Sequence, residues 1–265
     1  MTDGTIGSVS ANPFELIFPL FGLMVGSFLN VCIYRLPREE SVVFPASHCT
    51  NCGYEIAWYH NIPILSWLFL RGRCKKCGDR ISIVYPLIEA ATGLLFWLHY
   101  LWFGFDWILV PRVLFACALL VLAIVDLRHR ILPNPITLGG TVVGFLFSLF
   151  LPPGWFASLI GLLLGGGVLF VVGELYLRVR GIEGMGMGDV KMLAMIGAFL
   201  GWKGVLVTMV LASLSGALVG AAMLIARKGD MKYALPFGTF LSAAALVASF
   251  FGDGLIDWYL SFTPY

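Results

Sequence analysis

The stretch that decides the fold is Trp107–Val125, which reads WILVPRVLFACALLVLAIV and contains one charged residue, Arg112. A transmembrane helix needs about 20 mostly apolar residues, and this stretch meets that requirement. It ends at Asp126, so that a carboxylate lies at the border of an apolar run. The sequence therefore predicts a membrane-spanning helix with an acidic residue at one end.

The composition extends this interpretation to the whole chain of 265 residues. Apolar residues make up 59% of the chain and charged residues only 12%, and the mean hydropathy is +0.91. Soluble domains carry about 25% charged residues. These values exclude a soluble globular protein, a disordered chain and a collagen-like chain, and the net charge of +2 does not indicate a nucleic-acid partner. We therefore expect an all-α polytopic membrane protein.

The apolar runs predict about eight transmembrane helices. The predicted spans are Phe14–Tyr34, Pro86–Phe103, Trp107–Val125, Pro135–Leu151, Phe156–Leu177, Val190–Leu200, Gly204–Ala226 and Leu235–Phe251. The segment Val190–Leu200 is too short to cross a bilayer alone, unless it is tilted, thins the membrane or is re-entrant. We expect residues 1–36 to form the first helix, 37–84 a polar lobe and 85–265 the membrane core.

The basic residues predict the orientation, because cytoplasmic loops are enriched in lysine and arginine. All of the 17 basic residues except Arg112 and Lys203 fall on one side of the predicted membrane, which we assign to the cytoplasm. They are Arg35, Arg38, Arg71, Arg73, Lys75, Lys76, Arg80, Arg128, Arg130, Arg178, Arg180, Lys191, Arg227, Lys228 and Lys232. Both termini then face outward. This arrangement requires an even number of spans, so Val190–Leu200 has to cross the membrane. The N-terminus lacks the features of a cleaved signal, so we expect the first span to be retained.

The polar lobe carries four of the six cysteines. They form the pairs Cys49-Thr-Asn-Cys52 and Cys74-Lys-Lys-Cys77, and a glycine follows each pair. Two such turns can complete a tetrahedral four-thiolate shell, which predicts a structural, zinc-ribbon-like metal site. Two disulfides or a redox CxxC pair are the alternatives. A reducing cytosol argues against disulfides, and a redox pair would not need a second copy of the motif.

Carboxylates within or beside the spans require an explanation, because a carboxylate at the centre of a transmembrane helix raises the free energy of membrane insertion by about 2.5–3.5 kcal/mol. The candidates are Glu89, Asp126, Glu174 and Asp189, the last of which closes Gly184-Met-Gly186-Met-Gly188-Asp189. Two predicted spans run out and back between Asp126 and Asp189, so we expect both aspartates at the same membrane face. Such a pair shares one proton, and it can activate water and protonate a leaving amine.

The predicted helix ends suggest a role for each aspartate. Asp126 lies near a predicted helix C-terminus, where the helix dipole disfavours a negative charge, and Asp189 lies near a helix N-terminus, where the dipole stabilises one. The sequence therefore predicts that Asp126 holds the shared proton and that Asp189 is the base. Structural roles are the alternatives. These are an N-cap role for Asp189, an ion pair of Asp126 with Arg128 or Arg130, and contacts of Glu89 and Glu174 with helix ends or with each other.

At these residues the chain resembles the type IV prepilin peptidases of the GxGD aspartyl protease group. The resemblance is carried by Gly26-Ser-Phe-Leu-Asn30-Val-Cys-Ile-Tyr-Arg35-Leu-Pro37, the double CxxC lobe, Tyr85-Pro-Leu-Ile-Glu89, Asp126 before Ile131-Leu-Pro133, and Gly186-Met-Gly188-Asp189-Val-Lys191-Met-Leu-Ala. It implies that Asp126 and Asp189 are the catalytic pair. It also implies that the zinc ligands are Cys49, Cys52, Cys74 and Cys77.

The resemblance further implies a bifunctional enzyme of the bacterial inner membrane. Such an enzyme removes the leader of type IV prepilins and pseudopilins at the cytoplasmic face, and then N-methylates the new amine with S-adenosylmethionine. The chain has no GxGxG methyltransferase motif, so the sequence places no methyl-donor site. The alternatives are an intramembrane protease with other substrates, a transporter with membrane-buried acids and a non-catalytic pilus-assembly scaffold. The sequence predicts neither the client pilins nor the oligomeric state.

Overall fold

The computed structural model describes residues 13–181, 186–226 and 235–262. In these residues there are eight α-helices and no β-strand, so the all-α prediction is confirmed. The helices are α1 (Pro13–Arg35), α2 (Leu65–Phe69), α3 (Val84–Phe103), α4 (Leu109–His129), α5 (Asn134–Ser148), α6 (Trp155–Arg180), α7 (Met187–Ile225) and α8 (Phe237–Leu260). Two short 3-10 turns lie at Leu36–Arg38 and Trp58–His60.

The eight predicted spans correspond to seven of these helices. Helices α1, α4, α6, α7 and α8 are long and apolar enough to cross a membrane, whereas α5 has only 15 residues. The predicted spans Val190–Leu200 and Gly204–Ala226 are joined in α7, a helix of 39 residues. A straight helix of that length would measure about 58 Å, nearly twice the apolar thickness of a bilayer. The helix is instead kinked at Gly201 (φ 71°, ψ −178°), where the sequence placed the boundary.

The chain forms two compact units. The first contains the chain up to Asn30 together with Ala46–Phe105. In this unit α1 packs closely on α3, because a Cβ on Gly26 would lie only 2.7 Å from the Cα of Glu89. Small residues allow such an approach between membrane helices, where lipid supplies no hydrophobic driving force for association.

The second unit contains Val31–Pro45 and the chain from Asp106 onward, and it holds a large apolar core. Phe115 of α4 stacks on Phe199 of α7 with ring centroids 4.8 Å apart. Helices α6 and α7 approach so closely that a Cβ on Gly197 would lie 2.2 Å from the backbone of Gly161. These contacts set the positions of α4 and α7, and an end of each of these helices carries an aspartate of the predicted pair.

Apolar side chains also cover the outside of the molecule. Leu16, Leu20, Met24 and Phe28 recur at every fourth residue of α1, and each is more than half exposed. A soluble protein does not expose so long an apolar stripe, so this chain is a membrane protein. The orientation stays a prediction. Arg227, Lys228 and Lys232, the Gly184 of the quoted motif and both chain ends lie outside the described residues.

Candidate active site and metal centre

Asp126 lies in the last turn of α4, which ends at His129. Its side chain is only 5% exposed, so the carboxylate depends on hydrogen-bond donors from the protein. The backbone turns sharply after the helix at Arg130, whose N–H donates to the carbonyl of Asp126 at 2.8 Å. The charge of Arg130 also acts on the carboxylate.

Thr239, the third residue of α8, supplies two donors to Asp126. Its backbone N–H donates to Asp126 Oδ2 at 2.7 Å. Its hydroxyl lies 3.1 Å from the same oxygen and 3.2 Å from the carbonyl oxygen of Ala123, so these two acceptors share its one proton. The N-terminus of a helix favours a negative charge, because its first N–H groups point outward. The start of α8 therefore contacts Asp126 directly, and Arg130, one of the two ion-pair partners considered from the sequence, also acts on this carboxylate through its charge.

Asp189 is half-buried in the first turn of α7. The helix begins at Met187, and its N-cap is Gly186, so the N-cap role considered for Asp189 is wrong. The backbone N–H of Asp189 donates to the carbonyl of Gly186 at 3.1 Å, and the N-cap makes no side-chain hydrogen bond. The charge of Asp126 acts on Asp189.

Leu132 packs between the segments that carry the two aspartates. A Cβ on Gly188 would lie 3.1 Å from the Cβ of Leu132. A Cβ on Gly238 would lie 3.0 Å from Leu132 Cδ2 and 3.0 Å from Asp126 Oδ2. Glycine at these two positions therefore leaves room both for Leu132 and for the carboxylate of Asp126.

The sequence analysis missed the role of α8 in this site. The signal lies in Pro236-Phe-Gly-Thr239, where a proline at the N-cap is followed by a small and a hydroxyl-bearing residue. Such residues are typical of a helix start whose N–H groups can face an anion. Lys191, by contrast, was part of the resemblance, and its Nζ donates to Asn134 Oδ1 at 2.9 Å, which links α7 to the start of α5.

The two glutamates have other partners. Glu174 on α6 forms an ion pair with Arg178, with the two atoms 2.9 Å apart and both side chains partly exposed. Glu89 is buried and accepts the backbone N–H of Ile64 at 2.7 Å, at the N-cap of α2. They are therefore not partners of each other, whereas the contact of Glu89 with a helix end is confirmed. An exposed ion pair also argues against Glu174 as part of a proton relay.

The four lobe cysteines form one cluster. Their sulfur atoms all lie within 4.8 Å of one another, and Cys49 Sγ is 3.8 Å from Cys77 Sγ. Sulfur ligands at 2.3 Å in a tetrahedron are separated by about 3.8 Å. The backbone N–H groups of Cys77 and Lys76 lower the pKa of the Cys74 thiol to about 6, whereas burial and the neighbouring thiols raise the pKa of Cys77, so Cys74 forms the metal-binding thiolate before Cys77 does. All six cysteines are free, so the disulfide alternative is wrong and the cluster can hold a metal ion.

Each CxxC pair lies in a tight turn of the same design. Cys49 donates its N–H to the carbonyl of Tyr54 and accepts the N–H of Gly53, both at 2.9 Å. Cys74 makes the corresponding bonds in the second turn, where Gly78 is the donor. Gly53 and Gly78 have φ values of 68° and 71°, in the left-handed region that favours glycine. The turns are closed by single antiparallel bridges rather than by strands.

A cavity of about 570 Å³ runs along α6 between Ile160 and Val172. Its walls are leucine, isoleucine, valine and glycine residues. Such walls offer no charged or hydrogen-bonding side chain to the amino-acid and nucleoside parts of S-adenosylmethionine. This cavity therefore does not fit a methyl donor.

Comparison with known proteins places this geometry in a family. The profile of the Bacterial Peptidase A24 N-terminal domain matches residues 20–103, and that of the Type IV leader peptidase family matches residues 113–221. A Prepilin leader peptidase/N-methyltransferase of Xanthomonas campestris is 36% identical over 267 residues, which cover 91% of this chain and 92% of that protein. The chain belongs to the type IV leader peptidase family.

Other members of the leader peptidase family carry the same name. The protein of Myxococcus xanthus is 42% identical over 229 residues, covering 85% of this chain and 68% of that protein. The protein of Pseudomonas aeruginosa is 37% identical over 279 residues, covering 95% of each chain. No solved structure matches this chain. The four cysteines fall within the first matched region, and both aspartates fall within the leader peptidase region.

Proposed function

We propose that this chain is a membrane aspartyl endopeptidase that removes the leader peptide of type IV prepilins and pseudopilins. Asp126 and Asp189 are its catalytic pair. The observation that supports this assignment is the packing of Leu132 against both Gly188, next to Asp189, and Gly238, whose Cβ position lies 3.0 Å from Asp126 Oδ2, in a chain of the leader peptidase family. No observation favours a transporter or a non-catalytic scaffold over this function.

In the proposed reaction the two carboxylates share one proton. The ionised aspartate takes a proton from water, whose oxygen attacks the carbonyl carbon of the scissile peptide. The carbon–nitrogen bond then breaks, and the leaving amine receives a proton from the carboxyl pair. Thr239 holds Asp126 through Oδ2, so Oδ1 is the oxygen available for this exchange. The sequence predicted that Asp126 holds the resting proton, but the donors of Thr239 at the start of α8 favour its ionised form. We therefore assign the resting proton to Asp189 and the role of base to Asp126.

We place the enzyme in the bacterial inner membrane, with the lobe and the aspartates at the cytoplasmic face and both termini outward. The distribution of lysine and arginine supports this orientation. A substrate with a membrane-embedded helix and a basic leader would present its cleavage site at that face. Residues 1–36, 37–84 and 85–265 are then the first span, the metal lobe and the peptidase core.

We propose that zinc occupies the four-cysteine cluster and that S-adenosylmethionine is the methyl donor. Four sulfur ligands saturate a tetrahedral ion, so the metal would hold the lobe together and take no part in cleavage. Methyl transfer is proposed because the relatives carry the name N-methyltransferase. S-adenosylmethionine, when bound, supplies the methyl group for the new amine. We assign no residue of this chain to that step.

Cleavage of a purified prepilin tests the peptidase assignment. Asp126→Asn and Asp189→Asn should each lower kcat by at least about 10²-fold, because each removes a group that transfers protons. Glu174→Gln is the matched control, since it also neutralises an acid of a membrane helix and leaves both aspartates in place. If both asparagine variants process the leader at the normal rate, the assignment is wrong.

The mass of the product tests the second activity in the same assay. With S-adenosylmethionine present, the wild-type product should gain the mass of one methyl substitution. An already processed pilin should be methylated by the two asparagine variants as well, because its amine is free at the start. A product that never gains this mass would rule out methyl transfer and leave the peptidase assignment intact.

A further inference from the structure

The short helix α2 in the lobe is amphipathic, but its apolar face is the exposed one. Leu65, Leu68 and Phe69 lie at positions i, i+3 and i+4, so they share one face. They are 50%, 57% and 83% exposed. Ser66 is buried instead, and Trp67 donates its ring N–H to the carbonyl of Ile81 at 3.1 Å inside the lobe. The polar and hydrogen-bonded side of α2 therefore faces the protein.

The turn at Trp58–His60 extends this apolar face. Ser66 of α2 donates its hydroxyl to the carbonyl of Tyr59 at 3.2 Å, which holds the turn against the helix. Trp58 is 82% exposed and Tyr59 is 49% exposed. Tryptophan and tyrosine are enriched where proteins meet the headgroup region of a bilayer, because their rings are apolar and their N–H and O–H groups are polar.

The depth of α2 relative to the membrane follows from its contact with α3. The backbone N–H of Ile64, at the start of α2, donates to Glu89 Oε2 at 2.7 Å. Glu89 is the sixth residue of α3, so it lies about 7.5 Å along the helix axis from Val84. Exposed leucines on the same helix, Leu87 and Leu94 among them, give α3 an apolar outer surface. The start of α2 is therefore level with the first turns of α3, whose residues 86–103 the sequence predicts to be a span.

A basic run follows α2 directly. The exposed cations of the unit between Ala46 and Val84 are Arg71, Arg73, Lys75, Lys76 and Arg80, against two acids, Glu55 and Asp79. Anionic lipid headgroups attract such runs by about 1 kcal/mol per basic residue, which corresponds to about a fivefold preference. A basic leader peptide, in contrast, would be repelled by them.

We propose that α2 and the Trp58–His60 turn form an interfacial membrane anchor that lies in the headgroup region of the bilayer. Leu65, Leu68, Phe69 and Trp58 enter the apolar boundary, and the basic run binds anionic phospholipids. Helices of this kind lie about 5–10 Å into the interface with their apolar face toward the lipid chains. The anchor does not rest on the peptidase function, because lipid contact is measured without a substrate.

Photocrosslinking in nanodiscs that each hold one copy of the full, metal-loaded chain tests the anchor. A diazirine-bearing amino acid replaces Phe69 in discs of phosphatidylcholine and phosphatidylglycerol, and mass spectrometry identifies the adducts. Lipid adducts should form in a yield comparable to that from the same probe at Leu94. The probe at Glu55 is the matched lobe control, since a position that carries an exposed acid in the wild type marks a surface that faces water, and it should give at least about fivefold fewer lipid adducts. Equal lipid capture at both lobe positions, or no lipid adduct at position 69, would overturn the proposal.

A second measurement uses the chain without substitutions. Amide hydrogen exchange of residues 65–70 should be at least about fivefold slower in discs that contain phosphatidylglycerol than in discs of phosphatidylcholine alone. Unchanged exchange rates would overturn the role of the basic run. A slow exchange that appears only when two copies share a disc would identify a second copy of the chain as the occupant, and would overturn the lipid anchor.

Discussion

The metal lobe and the aspartate site are built in opposite ways. In the lobe, each cysteine turn is closed by hydrogen bonds within six residues, and the structure buries only Ser66 and Gly72 between residues 46 and 83. In the aspartate site, Asp126 is held by Thr239, which lies 113 positions further along the chain. The lobe thus has local order without a core, whereas the aspartates depend on the packing of distant helices. A change in one region should therefore leave the other region unaffected.

Removal of the metal should have the largest effect, and it should be confined to the lobe. Structural zinc sites contribute about 10–16 kcal/mol in small domains, and this lobe has no apolar core to replace that free energy. Cys49→Ser, or a chelator, should lower the metal content and make residues 46–83 sensitive to proteases. Amide exchange in α4 and α7 should stay unchanged.

Cys117→Ala is the control for the loss of the metal, because Cys117 is a buried thiol of α4 outside the cluster. Its metal content should equal that of the wild type. A lobe that keeps its protease resistance after complete chelation would mean that the metal does not hold it together, and the contrast between the two regions would then fail.

Gly238→Ala should break the aspartate site and spare the lobe. The new Cβ would lie 3.0 Å from Asp126 Oδ2 and from Leu132, so one of them must shift. Overpacking of this kind costs about 1–3 kcal/mol, and we expect prepilin cleavage to fall about 10- to 100-fold, since a small misplacement of reacting groups is expensive. The metal content should not change.

Gly254→Ala is the matched control on the same helix, because nothing lies within 4 Å of its Cβ position. Alanine in a helix interior is favoured over glycine by up to about 1 kcal/mol, so this variant should be as active and as stable as the wild type. Equal activities of the two variants would show that Asp126 tolerates displacement.

Thr239→Val should have the smallest effect. It removes the hydroxyl that donates to Asp126 and keeps the backbone N–H. A hydrogen bond of this kind contributes about 0.5–1.5 kcal/mol, so kcat should fall about 2- to 10-fold with KM unchanged, and the pH profile of kcat should move. Thr208→Val is the control, because the buried Thr208 hydroxyl has no hydrogen-bond partner in the described part of the chain. A loss of the same size in both variants would point to packing rather than to the carboxylate.

The difference between local and long-range contacts also explains which features could be predicted from the sequence. Apolar runs located every long helix, because a span is a property of consecutive residues. The boundary at Gly201 was also visible in the sequence, whereas the joining of the two flanking segments in α7 was not. The exposed apolar face of α2 was missed, since five residues are too few to give a periodic signal.

By itself, the sequence determined the membrane class, the helical fold and the two cysteine turns. Each of these depends on neighbouring residues: the length of an apolar run, or a glycine that permits a left-handed turn. Only the tertiary structure decided that α8 holds Asp126, that Leu132 packs against Gly188 and Gly238, and that Glu89 holds the start of α2. Such contacts join residues far apart in the chain, and their geometry follows from helix packing that no local pattern encodes.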